Sequence, residues 1–136
     1  MNSDESVKAM VIKFEDCKPG SFYAIQETKI AWQEVGVPVR SLIMSYKEIS
    51  PGVKGTWNRH NMEEIYYILE GHGELDFGGM DKPLIFGPRD TVFIKENVLH
   101  RPRNTDSKNP VKLIAVCGIM QEAYREGWGE AFPDMP

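Results

Sequence analysis

His60 and Glu64 stand four residues apart in the stretch Asn58-Arg-His-Asn-Met-Glu-Glu-Ile-Tyr-Tyr-Ile68. Taken as extended chain, the stretch puts alternate side chains on one face, so Asn58, His60, Met62, Glu64, Tyr66 and Ile68 share it. An ionised Glu64 among apolar neighbours is costly without a partner. A divalent cation would supply the missing charge, and imidazole nitrogen with carboxylate oxygen is an ordinary ligand mixture for iron, manganese, nickel or zinc. Taken alone, a His-x-x-x-Glu pair on a strand is more often a hydrogen-bonded pair than a metal site, and both readings stay open at this point. Met62 and Tyr66 would line a pocket on that face, with core packing as the plain alternative. Tyr66 is the candidate catalytic proton donor or acceptor. Trp57 would gate the mouth or cover the rim. Arg101 and Arg103 flank Pro102 and can meet an anionic substrate such as a carboxylate, or remain solvated loop charges. No Ser-His-Asp arrangement, phosphate loop or nucleotide fingerprint is visible, which favours metal chemistry if the chain is an enzyme.

The elements that must position these groups read as short strands. Residues 9–14 form an apolar run closed by the turn Lys18-Pro19-Gly20. Residues 22–36 have no clean period and are expected to be strand and turn, with a short helix over 27–34 as the alternative. Residues 39–49 suit a strand ended by Ser50-Pro51-Gly52. The β-formers Ile65 to Ile68 precede the breakers Gly71 and Gly73. Strands at 74–77 and 83–86 flank a hairpin turn at Gly78-Gly79, 91–94 suits a strand buried on both faces, and 111–119 is the strongest of all. Residues 1–9 are expected to fray, and the tail from 121 to make one helical turn before an extended end. Short strands at this spacing indicate an all-β sandwich or barrel.

The bulk properties agree. The 136 residues suffice for one domain. With 12 Gly and 9 Pro, turns are favoured over long helices. A net charge of -4 argues against nucleic acid and anionic membrane as partners. Cys17 and Cys117 lack the close spacing of a zinc or redox pair and are expected to be free thiols. No apolar stretch reaches membrane-spanning length and no secretory leader is seen, so a cytoplasmic location is expected.

The spacing Gly52-x5-Asn58-x-His60-x3-Glu64-x6-Gly71 resembles the first motif of the cupin superfamily, Gly-x5-His-x-His-x3/4-Glu-x6-Gly, with Asn58 in place of the first His. Further on, Arg89-x5-Lys95-x-Asn97-x2-His100-x3-Asn104 resembles the second, Gly-x5-Pro-x-Gly-x2-His-x3-Asn. There Arg89 replaces the first Gly, Lys95 the Pro, and Asn97 the second Gly. The last change is mild, since Asn tolerates positive φ. The resemblance implies a single cupin-type jelly-roll (double-stranded β-helix) domain over 1–136, with its core at about 39–118, an N-terminal extension over 1–38 and a tail over 119–136. It implies one divalent transition metal held by Asn58, His60, Glu64 and His100, with Asn58 offering a weak carbonyl oxygen or giving way to water or substrate. The implied function is a metal-dependent enzyme acting on a small oxygenated molecule, a carboxylate, keto acid or sugar derivative, by dioxygenase, isomerase or lyase chemistry. The alternative is a non-catalytic ligand-binding module. Small cupins often form homodimers, and the outward residues Ile65, Tyr67 and Leu69 suit such an interface.

Overall fold

A computed structural model describes residues 7–119 and 129–136. They form an all-β fold of strands β1 (Gly20–Phe22), β2 (Ile25–Ala31), β3 (Leu42–Ile49), β4 (Trp57–His60), β5 (Glu64–Glu70), β6 (Gly73–Phe77), β7 (Leu84–Phe86), β8 (Thr91–Ile94), β9 (His100–Asn104), β10 (Val111–Gly118) and β11 (Gly129–Phe132). Two antiparallel sheets result, ordered β1-β2-β3-β10-β5-β8 and β11-β4-β9-β6-β7. From β3 to β10 the chain passes back and forth between the sheets, staying in one only for the β6–β7 hairpin. That order is the jelly roll. β1 and β2 extend the first sheet beyond residue 39, and β11 extends the second.

Alternation along the strands sets the core. On β10, Val111, Leu113, Ala115 and Cys117 point inward and are buried. On β5, Glu64, Tyr66 and Ile68 point inward while Ile65, Tyr67 and Leu69 face out. The main core joins Tyr66, Ile68, Val92, Val111 and Leu113 of the first sheet to Leu75 and Phe86 of the second. Gly71 ends β5 at φ +91, and a Cβ there would run into the Pro110 carbonyl, so glycine alone fits.

Several expectations need correction. The run 9–14 is not a strand: Met10 and Val11 are exposed and a one-turn 3-10 helix, Phe14–Asp16, follows. No α-helix forms over 27–34: pairing of β2 with β3 claims the backbone up to Ala31, and only a 3-10 turn, Gln33–Val35, follows. β8 is half-buried rather than buried on both faces, since as an edge strand it turns Thr91 and Phe93 to solvent. Residues 58–68 are not one strand. The chain turns at 61–63 and changes sheets, so β4 and β5 belong to different layers. Main-chain bonds from Asn97 N–H to the His60 carbonyl (2.7 Å) and from Gly118 N–H to the Glu63 carbonyl (3.1 Å) hold this corner. The strands β1 and β9 were not expected from sequence, whereas β11 falls in the extended end expected of the tail. The frayed start over 1–6 and the helical turn within 121–128 lie outside the described residues.

Candidate metal centre

β4 delivers His60 and Asn58, β5 delivers Glu64, and β9 delivers His100, which is the cross-strand partner of Asn58. The corner at 61–63 folds β5 over the end of β4, so His60 and Glu64 meet across the sheets. The ligand-type atoms of His60, Glu64 and His100 all lie within 4.8 Å of one another. His60 is 9% exposed, Glu64 4% and His100 1%.

The hydrogen bonds fix where the protons are. His60 Nδ1 lies 3.0 Å from the Met62 carbonyl oxygen and His100 Nδ1 lies 2.8 Å from that of Val98. A carbonyl oxygen only accepts, so each Nδ1 carries a proton, and in the neutral ring each Nε2 presents a lone pair. His60 Nε2 is aimed at Glu64 Oε1 at 3.1 Å, and His100 Nε2 lies 3.4 Å from the same oxygen. His100 Nε2 is buried without a hydrogen-bond partner. Three electron-pair donors converging on one buried point fit a cation between them. The donor set, two imidazoles and a carboxylate, suits a first-row divalent metal.

Burial pushes the Glu64 carboxyl up, but nearby positive charge, that of the Lys47 ammonium foremost, outweighs it and holds it well below the usual carboxylate range. Its other oxygen, Oε2, accepts a hydrogen bond from Cys117 Sγ at 3.3 Å. Burial and the neighbouring Glu64 push the Cys117 thiol up, so it keeps its proton and serves as donor. Asn58 Nδ2 donates to the Thr56 carbonyl (3.0 Å) and the His100 carbonyl (3.4 Å), leaving Oδ1 as its unengaged end among the described residues.

Asn58, His60 and Glu64 open onto a cavity of about 440 Å³. It forms where the inner face of the first sheet carries small residues: Ser45 and Ala115 are cross-strand partners next to Tyr66. Lys47, Glu27, Lys29 and Cys117 share the wall. Lys47 and Glu27 escaped the sequence reading, although a signal was present. On 42–49, Lys47 has the same parity as the buried Ile43 and Ile49, which is a costly place for a charge without a purpose.

Other expected site residues lie elsewhere. Tyr66 belongs to the main core and Met62 to a second cluster with Trp32, Ile43 and Ile119, so neither forms the cavity wall. Trp57 faces outward on β4, bonds the Pro136 carbonyl at 3.0 Å and does not gate the mouth. Arg101 and Arg103 do not reach the cavity either. They alternate with buried His100, Pro102 and Asn104 on β9 and so point to the outer face. There Asp76 Oδ2 accepts from Arg101 Nε at 2.9 Å and Arg103 Nε at 2.7 Å, and Glu74 takes Arg103 Nη2 at 2.7 Å.

Residues 45–117 match the cupin domain family. No curated protein matches the chain. Solved structures with a similar fold include the polyketide cyclase RemF from Streptomyces resistomycificus (TM-score 0.69, 17% identity, 81% of this chain and 79% of that one). A predicted oxalate decarboxylase from Thermotoga maritima is also similar (0.67, 20%, 82% and 100%). So is a nucleoside dehydratase from Streptomyces (0.74, 11%, 95% and 95%). At such identities the likeness speaks to the fold.

Proposed function

The chain belongs to the cupin family, and on that premise we propose that it is a metal-dependent enzyme acting on a small oxygenated organic molecule by isomerase, lyase or dioxygenase chemistry. The observation that carries the reading is the convergence of two imidazole Nε2 atoms, at 3.1 and 3.4 Å, on one oxygen of a buried, ionised carboxylate. With neutral rings such an arrangement is repulsive unless a cation occupies the point of convergence. His60, Glu64 and His100 would hold a divalent transition metal, iron, manganese, nickel or zinc. Asn58 Oδ1 is a weak fourth donor that gives way to water or substrate. Bound there, the metal supplies Lewis acidity that polarises a carbonyl or hydroxyl oxygen.

The chain's own residues supply the rest. The Nδ1 hydrogen bonds to main-chain carbonyls hold both rings in the ligating tautomer. Cys117 sets the rotation of the Glu64 carboxylate. The cavity limits the substrate to a small molecule, and among the described residues no helix is long and apolar enough to cross a membrane.

Metal analysis of protein purified without chelator tests the reading. About one transition metal per chain is expected, lost in His60→Ala and in His100→Ala. Metal-free wild type, with stability unchanged by added metal, would overturn it in favour of a non-catalytic ligand-binding cupin.

A further inference from the structure

Among the described residues three cations line the cavity, and they are not equivalent. Lys29 Nζ lies 2.7 Å from Glu34 Oε2 and 4.5 Å from the Trp32 ring centre. Arg59 places Nη2 and Nε at 3.1 and 3.2 Å from Glu130 Oε1 and stacks over Phe132 at 5.6 Å. Both are half-exposed pairs with their charge already met. Lys47 is the exception. Its side chain is only 14% exposed, and the carboxylate oxygen paired with it, Glu27 Oε2, is 3.5 Å away. That distance gives an ion pair but not a good hydrogen bond. The Phe22 and Tyr66 ring centres stand 5.7 and 5.9 Å from Nζ, which favours the charge without accepting its hydrogens strongly. An ammonium has three donors. Lys47 therefore turns donor capacity into the cavity that no close acceptor among the described residues takes up.

We infer that Lys47 is an anion subsite that selects a small carboxylate, held in place by Glu27. The inference rests on the metal reading above for its charge balance. A dication and Lys47 oppose Glu64 and Glu27, imidazoles that ligate a metal add no charge, and the rim pairs of the described residues cancel. One positive charge is left, which a single carboxylate neutralises. A neutral sugar or amide would leave that charge and the Lys47 donors uncompensated in a shielded site. A dianion would meet Glu27. The substrate class narrows accordingly to small monocarboxylates bearing a second oxygen, such as hydroxy or keto acids, that can reach the metal centre.

Glycolate and its neutral analogue glycolamide, titrated calorimetrically into metal-loaded protein, test this. Wild type should bind glycolate about ten-fold more tightly than glycolamide, the magnitude of one charge-assisted hydrogen bond. Lys47→Met should lose that preference with metal content unchanged, Lys47→Arg should keep part of it, and Glu27→Gln should raise it several-fold. Equal binding of the two ligands to wild type, no measurable glycolate binding, or a preference that survives in Lys47→Met overturns the inference. Should Lys47→Met fold poorly, an unchanged preference in Glu27→Gln overturns it as well. Repeating the titrations after chelator treatment separates the two readings. A preference that persists in stripped wild type and vanishes in stripped Lys47→Met supports the subsite even if no metal is native to the protein. Full metal occupancy with no preference leaves the metal reading standing and removes this one.

Discussion

Glu64 makes a different demand on each of its two oxygens. Oε1 faces the imidazole lone pairs, and Oε2 accepts from Cys117 at 3.3 Å. The thiol fixes the plane of the carboxylate and thereby where Oε1 points. Groups that orient a ligand in this way contribute one to two orders of magnitude in metal affinity. Cys117→Ala should weaken metal binding by about ten-fold, read by competition with a chromophoric chelator. Cys117→Ser, which keeps a donor, should recover part of the loss. Unchanged affinity in Cys117→Ala would show that the thiol does not orient the carboxylate.

At the scale of elements, the corner between β4 and β5 and the turn entering β8 do the positioning. The corner moves the chain from one sheet to the other while keeping parity, so His60, Met62, Glu64 and Tyr66 all stay buried. The turn before β8 contains Arg89 at φ +70, with its N–H bonded to the Ile68 carbonyl at 2.8 Å. The related motif has glycine at this position, and an exposed arginine there holds a left-handed backbone at some cost. Arg89→Gly should raise stability by about 1 kcal/mol, measured as a shift of the urea midpoint. A decrease would mean that the arginine side chain makes a compensating contact. Asn97, at φ +63, bears the same strain more easily because Asn is among the residues that tolerate this region.

For the whole molecule, the outer face of the first sheet is the feature that calls for a partner. Ile65, Tyr67 and Leu69 on β5 are 44, 42 and 43% exposed, and Phe93, the cross-strand neighbour of Ile65, is 55% exposed. We propose that a second copy of the chain covers this face, because an apolar sheet surface next to an edge strand is unfavourable in water. Light scattering should give twice the chain mass. Ile65→Glu should give a monomer that keeps its metal, since Ile65 points away from the site. A monomeric wild type would remove the proposal.

The turns, the alternation that buries Glu64, Tyr66 and Ile68, and the two spaced motifs were legible in the residues, because glycine, proline and the two-residue period of strands act locally. Residues 45–117 and the jelly-roll order agree with that reading. Parity would also have turned Arg101 and Arg103 away from His100, had 100–104 been recognised as a strand; Pro102 and the charges around it masked the pattern. The contacts of Cys117 with Glu64 and of Lys47 with Glu27, and the cavity over Ser45 and Ala115, were decided only by tertiary structure. They depend on register between strands far apart in sequence. A local pattern says which residues share a face, whereas the pairing of one strand with another says which charge, thiol or lone pair stands opposite.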